Sequence, residues 1–403
     1  MNELLKKYIK GDRIIWYVIL LLSVFSCLVV YSATGNLAYK HQDGNAVFYL
    51  FRHAKFLLVG LGIIIAVHHI NYKWFARFAT VFLYFSIVLL IITAVSGVSL
   101  NQASRWLTVP VVGISFQPSE IAKLALMMYI AKVLAQYQAN DRTADEAFKP
   151  IMIHVAIVCG LIFKDDFSTA ALIGFTSWLV MMIGRVSMKY LFGTVAAVLV
   201  FVFVVIWLSD YVPFLHRAST WKARIERFVG GDEQKEAGGK TADYQSERSQ
   251  MAIATGGVFW GRGPGNSQQR YFLPHPYSDF VYAIIIEEWG ILIGGFLIMF
   301  AYLILLFRAG VIVRASSRTF PAFLVVGLST LLVVQAFINM GVAVGVMPVT
   351  GQPLPLVSMG GTSTLFTCLA FGAILSVSRN NMEEKELAAQ AENENYESDK
   401  SNN

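Results

Sequence analysis

Apolar residues along this chain gather into ten long runs separated by polar breaks. They lie near 14–34, 50–69, 75–96, 118–136, 150–163, 168–184, 189–209, 277–307, 321–346 and 360–379. Most approach the roughly 20 residues that a helix needs to cross the hydrocarbon core of a bilayer, so the pattern predicts ten transmembrane helices. Lys164-Asp165-Asp166 divides what would otherwise be nearly two spans in one stretch. Between the last two runs the chain reads Met347-Pro-Val-Thr-Gly-Gln-Pro-Leu-Pro-Leu-Val-Ser-Met-Gly-Gly-Thr-Ser363. So many prolines and glycines exclude a helix or a central strand. Yet the segment is barely polar, and irregular backbone at membrane depth is tolerated only where it is buried in protein or lines a cavity. It is expected to be the wall or lid of a site.

Composition supports the same class. Of 403 residues, 56% are hydrophobic and 14% charged, with mean hydropathy +0.57. These values indicate an all-α polytopic integral membrane protein rather than soluble domains. The first run is read as a retained helix, not a cleaved signal peptide, because it is of full spanning length and more spans follow. The net charge of +6 reads as topology, and no basic cluster interleaved with aromatics suggests nucleic acid. With the N-terminus inside, inner segments carry Lys6, Lys7, Lys10, Arg13, Lys73, Arg77, Arg185, Arg308 and Arg318, whereas short outer loops hold few basic residues. The positive-inside rule then makes both termini cytoplasmic.

Residues 1–13 are a cytoplasmic N-terminus, 14–380 the transmembrane domain, and 210–276 a large extracytoplasmic loop between helices seven and eight. Within that loop, Trp221–Phe228 and Tyr244–Ile253 read as amphipathic helices on the membrane surface, flanking a polar Gly-rich insert. The tail, 381–403, is expected to be a disordered cytoplasmic extension. Cys27, Cys159 and Cys368 lie in apolar runs and suit packing, and no metal-ligand spacing is present.

The unusual polar motifs all fall on the outer side under this topology. Arg105-Trp106 precedes the fourth helix, and Gln117-Pro-Ser-Glu120 with Lys123 opens it. Ser119 reads as an N-cap and Glu120 as a dipole partner, but Lys123 lies one turn into an apolar helix and needs a partner. Glu120 and Lys123 share a helix face. Asp166 with Thr169 opens the sixth helix. Asp279 reads either as an N-cap, a role Ser278 could fill, or as a general base at a cavity mouth. Adjacent Glu287 and Glu288 point 100° apart and cannot share a partner, so a structural role is expected. Gly256–Gly265 reads as a tight turn; with Arg262 and Arg270 its N–H groups could instead hold a pyrophosphate.

On these motifs the chain resembles the SEDS (shape, elongation, division and sporulation) family of peptidoglycan polymerases typified by FtsW and RodA. The stretches concerned are Ser104-Arg-Trp106, Phe116-Gln-Pro-Ser-Glu-Ile-Ala-Lys123, Ala252-Ile-Ala-Thr-Gly-Gly257, Ser278-Asp-Phe280, Glu287-Glu-Trp-Gly290 and 347–363. Gly11-Asp-Arg13 and Val30-Tyr-Ser-Ala-Thr34 are more similar to the division type. Asp165-Asp-Phe-Ser-Thr169 and Met359 depart from the usual pattern. The resemblance implies polymerisation of lipid II into glycan strands at the outer face of the bacterial cytoplasmic membrane, at the division septum, with an elongation-type polymerase as the alternative. Asp279 would be the general base. Arg105 and Lys123 would stabilise the pyrophosphate leaving group, and Glu120 would orient Lys123. Gln117, Ser119, Trp106, Asp166, Thr169, Arg262, Ser358, Gly360 and Gly361 would contact substrate. No cofactor is required, with a divalent cation (Mg or Mn) at the pyrophosphate left open. The implied partners are lipid II, the nascent glycan strand, membrane lipid, a class B penicillin-binding protein and other division proteins. Two other classes fit parts of the sequence: a flippase for lipid-linked precursors and a non-enzymatic division scaffold. No internal repeat supports the first, and the second leaves Lys123 and Asp279 without a role.

Overall fold

The computed structural model describes residues 10–96, 98–100, 103–108, 115–139, 144–208 and 240–401. The apolar runs appear as helices α1 (Arg13–Ala33), α3 (Ala46–His68), α4 (Tyr72–Ser96), α5 (Pro118–Ala139), α6 (Ala144–Phe163), α7 (Phe167–Ile183) and α8 (Met188–Leu208). Next come α9 (Lys240–Thr255), within the expected 210–276 loop, and then α10 (Val281–Trp289), α11 (Leu297–Ala315), α12 (Thr319–Ala343) and α13 (Thr362–Ser401). A short α2 (Gly35–His41) follows the first span. Among the described residues, eight helices are long and apolar enough to cross a membrane. The chain is an all-α polytopic membrane protein.

Helix ends segregate onto two faces. On the N-terminal face, Asp12 caps α1 by accepting from Ile14 N at 2.9 Å, and Arg308 Nε donates to its other oxygen at 2.8 Å. Lys10 pairs with Glu383 at 3.5 Å, and Ser317 donates to Glu384 at 2.7 Å. The start of the described chain and the Glu383–Glu384 turn of α13 therefore meet on one face. On the opposite face, Arg270 donates to Ser32 O at 3.2 Å and Asn36 to Tyr271 O at 3.2 Å. There a small antiparallel sheet, β1 (Val98–Leu100), β2 (Ala103–Thr108) and β3 (Ser115–Phe116), caps the bundle, with Val98 opposite Trp106 and Leu107 opposite Phe116.

Helix α5 sits at the centre, packed by α4, α6, α7, α12 and α13. It is nearly all buried from Pro118 to Ala135 although it carries Glu120, Lys123 and Lys132. A helix surrounded by protein can hold charges that a lipid-facing one cannot. Helix α13 lies along α3, close enough that a Cβ on Gly60 would sit 2.5 Å from Cys368 Sγ.

Three expectations need correction. The run 277–307 is not one helix. Its chain reverses at Gly290, with φ at 84°, so that α10 folds back on a π-helical turn (Ile291–Phe296) and α11. Tyr282 Oη donates to Gly295 O at 3.1 Å across this hairpin. Secondly, the tail is not disordered over its described part: α13 continues to Ser401. The run Met382-Glu-Glu-Lys-Glu-Leu-Ala-Ala-Gln-Ala391 is made of strong helix formers, and no glycine or proline stops it. Thirdly, Tyr244–Ile253 is helical within α9, but it is docked on protein, with Ser249 buried and donating to Ala343 O at 2.7 Å. The other proposed amphipathic helix, Trp221–Phe228, lies outside the described residues.

Candidate active site

Helices α5, α7 and α12, the Pro/Gly segment and the loop before α10 converge on the face opposite the chain's N-terminus. Helix α5 begins with Pro118 at its first position, where the missing N–H costs nothing. Gln117 is therefore the residue before the helix, accepting from Glu120 N at 3.0 Å, and Ser119 lies inside the first turn. Ser119 is not an N-cap. Its buried hydroxyl has no hydrogen-bond partner among the described residues. Lys123 is 2% exposed, and its Nζ lies 2.8 Å from Glu120 Oε1. The ammonium also donates to Gln335 Oε1 at 3.2 Å. An ion pair this dry survives only with such added polar partners.

The Pro/Gly segment is the structural hub. Gln335 Nε2, on α12, donates to Pro353 O at 2.9 Å. One turn further along the same face, Asn339 Nδ2 donates to Gln352 O at 2.8 Å and to Asp279 O at 2.9 Å. Gln352 Nε2 then reaches Thr169 Oγ1 at 2.9 Å. Asp166 caps α7 through Thr169 N at 3.0 Å and receives Gln117 Nε2 at 3.5 Å. One hydrogen-bonded frame thus joins Asp279, Lys123, Glu120, Gln117, Asp166 and Thr169. Residues four apart on a helix are about 5–6 Å apart at their Cβ atoms, so Asn339 and Gln335 set Asp279 and Lys123 on neighbouring turns.

Asp279 does not cap α10: the N-cap position is Phe280, which makes no side-chain cap bond. The carboxylate is half-buried and accepts from Ser278 Oγ at 2.5 Å. A Cβ on Gly351, whose φ is +70°, would be 3.7 Å from Asp279 Oδ2, so the Pro/Gly segment walls this carboxylate. Ser358 is buried and donates to Ser278 O at 2.5 Å, so its hydroxyl holds the loop bearing Asp279. Gly360 and Gly361 turn the chain into α13, Gly361 with φ +56° and open space where a side chain would be. Trp106 is half-buried on β2. Arg105 falls in β2 too, but its side chain lies outside the described residues.

Arg262 does not join this frame. Its backbone N–H donates to Glu287 O at 2.9 Å and its Nε lies 3.9 Å from Glu287 Oε1, at the far end of α10. Eight residues of chain separate Asp279 from Glu287, about 12 Å at 1.5 Å per helical residue. The glycines of 256–265 are explained by close backbone approach: a Cβ on Gly256 would lie 2.2 Å from Ile286 O, and one on Gly261 2.2 Å from Glu288 C. Glu287 and Glu288 face different partners, as their angular separation requires. Glu287 accepts from Ser267 Oγ at 2.5 Å and Gln268 N at 2.9 Å; Glu288 accepts from the Ser32 hydroxyl.

Gln335, Asn339 and Gln352 were not among the sequence candidates. The signal was present, since two amides four residues apart in an apolar span mark one polar face. Among the described residues no three His, Cys, Asp or Glu side chains gather to hold a metal ion. The three cysteines are unpaired.

A family model described as "Cell cycle protein", covering FtsW, RodA and SpoVE, matches residues 12–383. The chain is 31% identical over 379 residues to a probable peptidoglycan glycosyltransferase FtsW from Geobacter metallireducens, covering 93% of this chain and 96% of that one. It is also 31% identical over 381 residues to stage V sporulation protein E from Bacillus subtilis, covering 91% and 97%. Among solved structures, it is similar to a chain from a peptidoglycan synthase complex that coordinates polymerization and crosslinking. That match has a TM-score of 0.71 and 24% identity, covering 92% of this chain and 98% of that one. RodA from Thermus thermophilus gives 0.65 and 22%, covering 93% and 99%. At such identity these structures speak for the fold.

Proposed function

The chain belongs to the FtsW/RodA/SpoVE family of cell cycle proteins, and from that premise we propose how it works as a peptidoglycan glycosyltransferase. Its substrates are lipid II and a growing glycan strand, both linked to undecaprenyl pyrophosphate, and the reaction occurs at the outer face of the bacterial cytoplasmic membrane. Both termini are then cytoplasmic, as the basic residues of the inner segments require. The division type is favoured by relatives named FtsW.

In this reading Asp279 removes the proton from the 4-hydroxyl of the incoming N-acetylglucosamine. The oxygen attacks the anomeric carbon of the strand's lipid-linked sugar. The bond from that carbon to pyrophosphate oxygen breaks, and undecaprenyl pyrophosphate leaves. Lys123 and Arg105 compensate the charge that develops on it, in a partly dehydrated setting where fixed cations act strongly. Glu120 and Gln335 aim the Lys123 ammonium, while Gln117, Asp166, Thr169, Gly360 and Gly361 shape the walls that meet substrate. A divalent cation, Mg or Mn, would be held mainly by pyrophosphate oxygens, as such cations often are. The partner is a class B penicillin-binding protein supplying transpeptidation.

The observation that carries this reading is the shared frame: Asn339 holds the Asp279 carbonyl one turn from Gln335, which holds Lys123. Purified protein supplied with lipid II, alone and with a class B penicillin-binding protein, is expected to make glycan strands. Absence of strands under both conditions, with scrambling of lipid II in liposomes, would replace this reading with the flippase.

A further inference from the structure

We propose that His53 and Ser26 are positioning residues for Asp279, acting through the carbonyl of Val357. His53 on α3 and Ser26 on α1 are fully buried, at 1% and 0% exposure. Ser26 Oγ lies 2.6 Å from His53 Nε2 and 2.7 Å from Val357 O. A carbonyl can only accept, and a hydroxyl has one proton to give. Ser26 therefore donates to Val357 and accepts from His53, which places a proton on Nε2. His53 Nδ1 is left buried with no hydrogen-bond partner among the described residues. An apolar side chain would fill this place in the bundle without that penalty, so packing alone does not account for a histidine here.

What the pair holds is strained. Leu356 has φ at 67°, a region that bulky side chains avoid. Carbonyls on both sides of it are tied down: Tyr302 Oη donates to Pro355 O at 2.5 Å, and Ser26 holds Val357. The next two residues grip the loop that bears the carboxylate. Ser358 Oγ donates to Ser278 O at 2.5 Å and accepts from Leu354 N at 2.8 Å, and Met359 N donates to Tyr277 O at 2.9 Å. The order of action runs from His53 to Ser26, to Val357, to the 358–359 clamp and so to Asp279. Neither His53 nor Ser26 contacts substrate.

The rate arm of the test rests on the polymerase reading; the exchange arm does not. The full chain in lipid nanodiscs is compared as wild type, His53→Leu, Ser26→Ala and His53→Gln, the last keeping an N–H donor. Amide hydrogen exchange over 277–280 and 354–359 should quicken about tenfold in the Leu and Ala variants, with α12 unchanged and His53→Gln within about twofold of wild type. Polymerisation should show kcat lowered about tenfold with KM within about twofold, and His53→Gln should recover it. Wild-type exchange in those two segments, or equal loosening throughout the bundle, would overturn the inference. So would an unchanged kcat in His53→Leu. If the wild type makes no glycan, the polymerase reading fails, and exchange alone decides the positioning claim.

Discussion

At the start of α10, Asp279 is half-buried, and its backbone carbonyl is clamped by Asn339 while its carboxylate faces the wall made by Gly351. At the other end, Glu287 and Glu288 are 0% and 2% exposed, and their oxygens are taken up by the hydroxyl of Ser32, the hydroxyl of Ser267 and the backbone N–H groups of 268 and 269. One short helix and the loop that leads into it thus carry acids of two kinds. A carboxylate saturated by fixed donors ties elements together and has little capacity left for a reacting proton. A carboxylate whose backbone is held, but which stays accessible, is suited to general-base work. Glu287 and Glu288 pin the 267–270 loop and α1 to the hairpin; Asp279 stays half-buried beside Gly351 and accepts from Ser278.

The largest effect that separates the two kinds concerns Asp279. Asp279→Asn keeps shape and removes basicity, so strand synthesis should fall by about 10²–10⁴-fold, with an unchanged melting temperature. Near-normal synthesis would erase the distinction. Glu287→Ala should do the reverse: stability falls by on the order of 3 kcal/mol as several buried donors lose their acceptor, read by thermal unfolding, while the rate per folded molecule holds. Gln335→Leu comes next. It leaves the Pro353 carbonyl unpaired and the Lys123 ammonium with Glu120 alone, and should lower kcat by about tenfold with a small change in melting temperature. Arg262→Ala should matter least. Its 3.9 Å contact is about a third exposed, so the loss should stay below about 1 kcal/mol, with synthesis unaffected. A large rate loss here would return Arg262 to the substrate site.

Much of this architecture was legible because hydropathy reports span length directly. Nine of the ten apolar runs appear as single helices and 277–307 as a broken one, and the Pro/Gly segment lies where irregular backbone was expected, against the candidate site. The break at Gly290 was not legible, since an apolar run records burial but not the direction of the chain within it. The helix cap expected at Ser119 is not made, and of the two readings left open for Asp279 the cap is not made either, for a related reason. Both have cap-forming side chains, but Pro118 fixed the first helix start two residues earlier, and the clamp on the Asp279 carbonyl goes with a second start one residue later. Attention to acids and bases also hid the neutral amides. Gln335, Asn339 and Gln352 carry no charge, yet they are what join Asp279 to Lys123. Arg262, a cation near glycines, has its charged partner, Glu287, adjacent on α10.

The division of labour between Lys123 and Asp279 is tested most directly by equilibrium binding of undecaprenyl pyrophosphate to purified protein. Lys123→Met is best combined with Glu120→Gln, so that no lone carboxylate is left buried. That double variant should bind at least about tenfold more weakly than wild type, the loss expected for a charge-assisted contact, while Asp279→Asn should bind as well as wild type or better. Unaltered binding without the Lys123 ammonium, or binding lost with Asp279→Asn alone, would contradict a site in which one residue holds the leaving group and the other takes the proton.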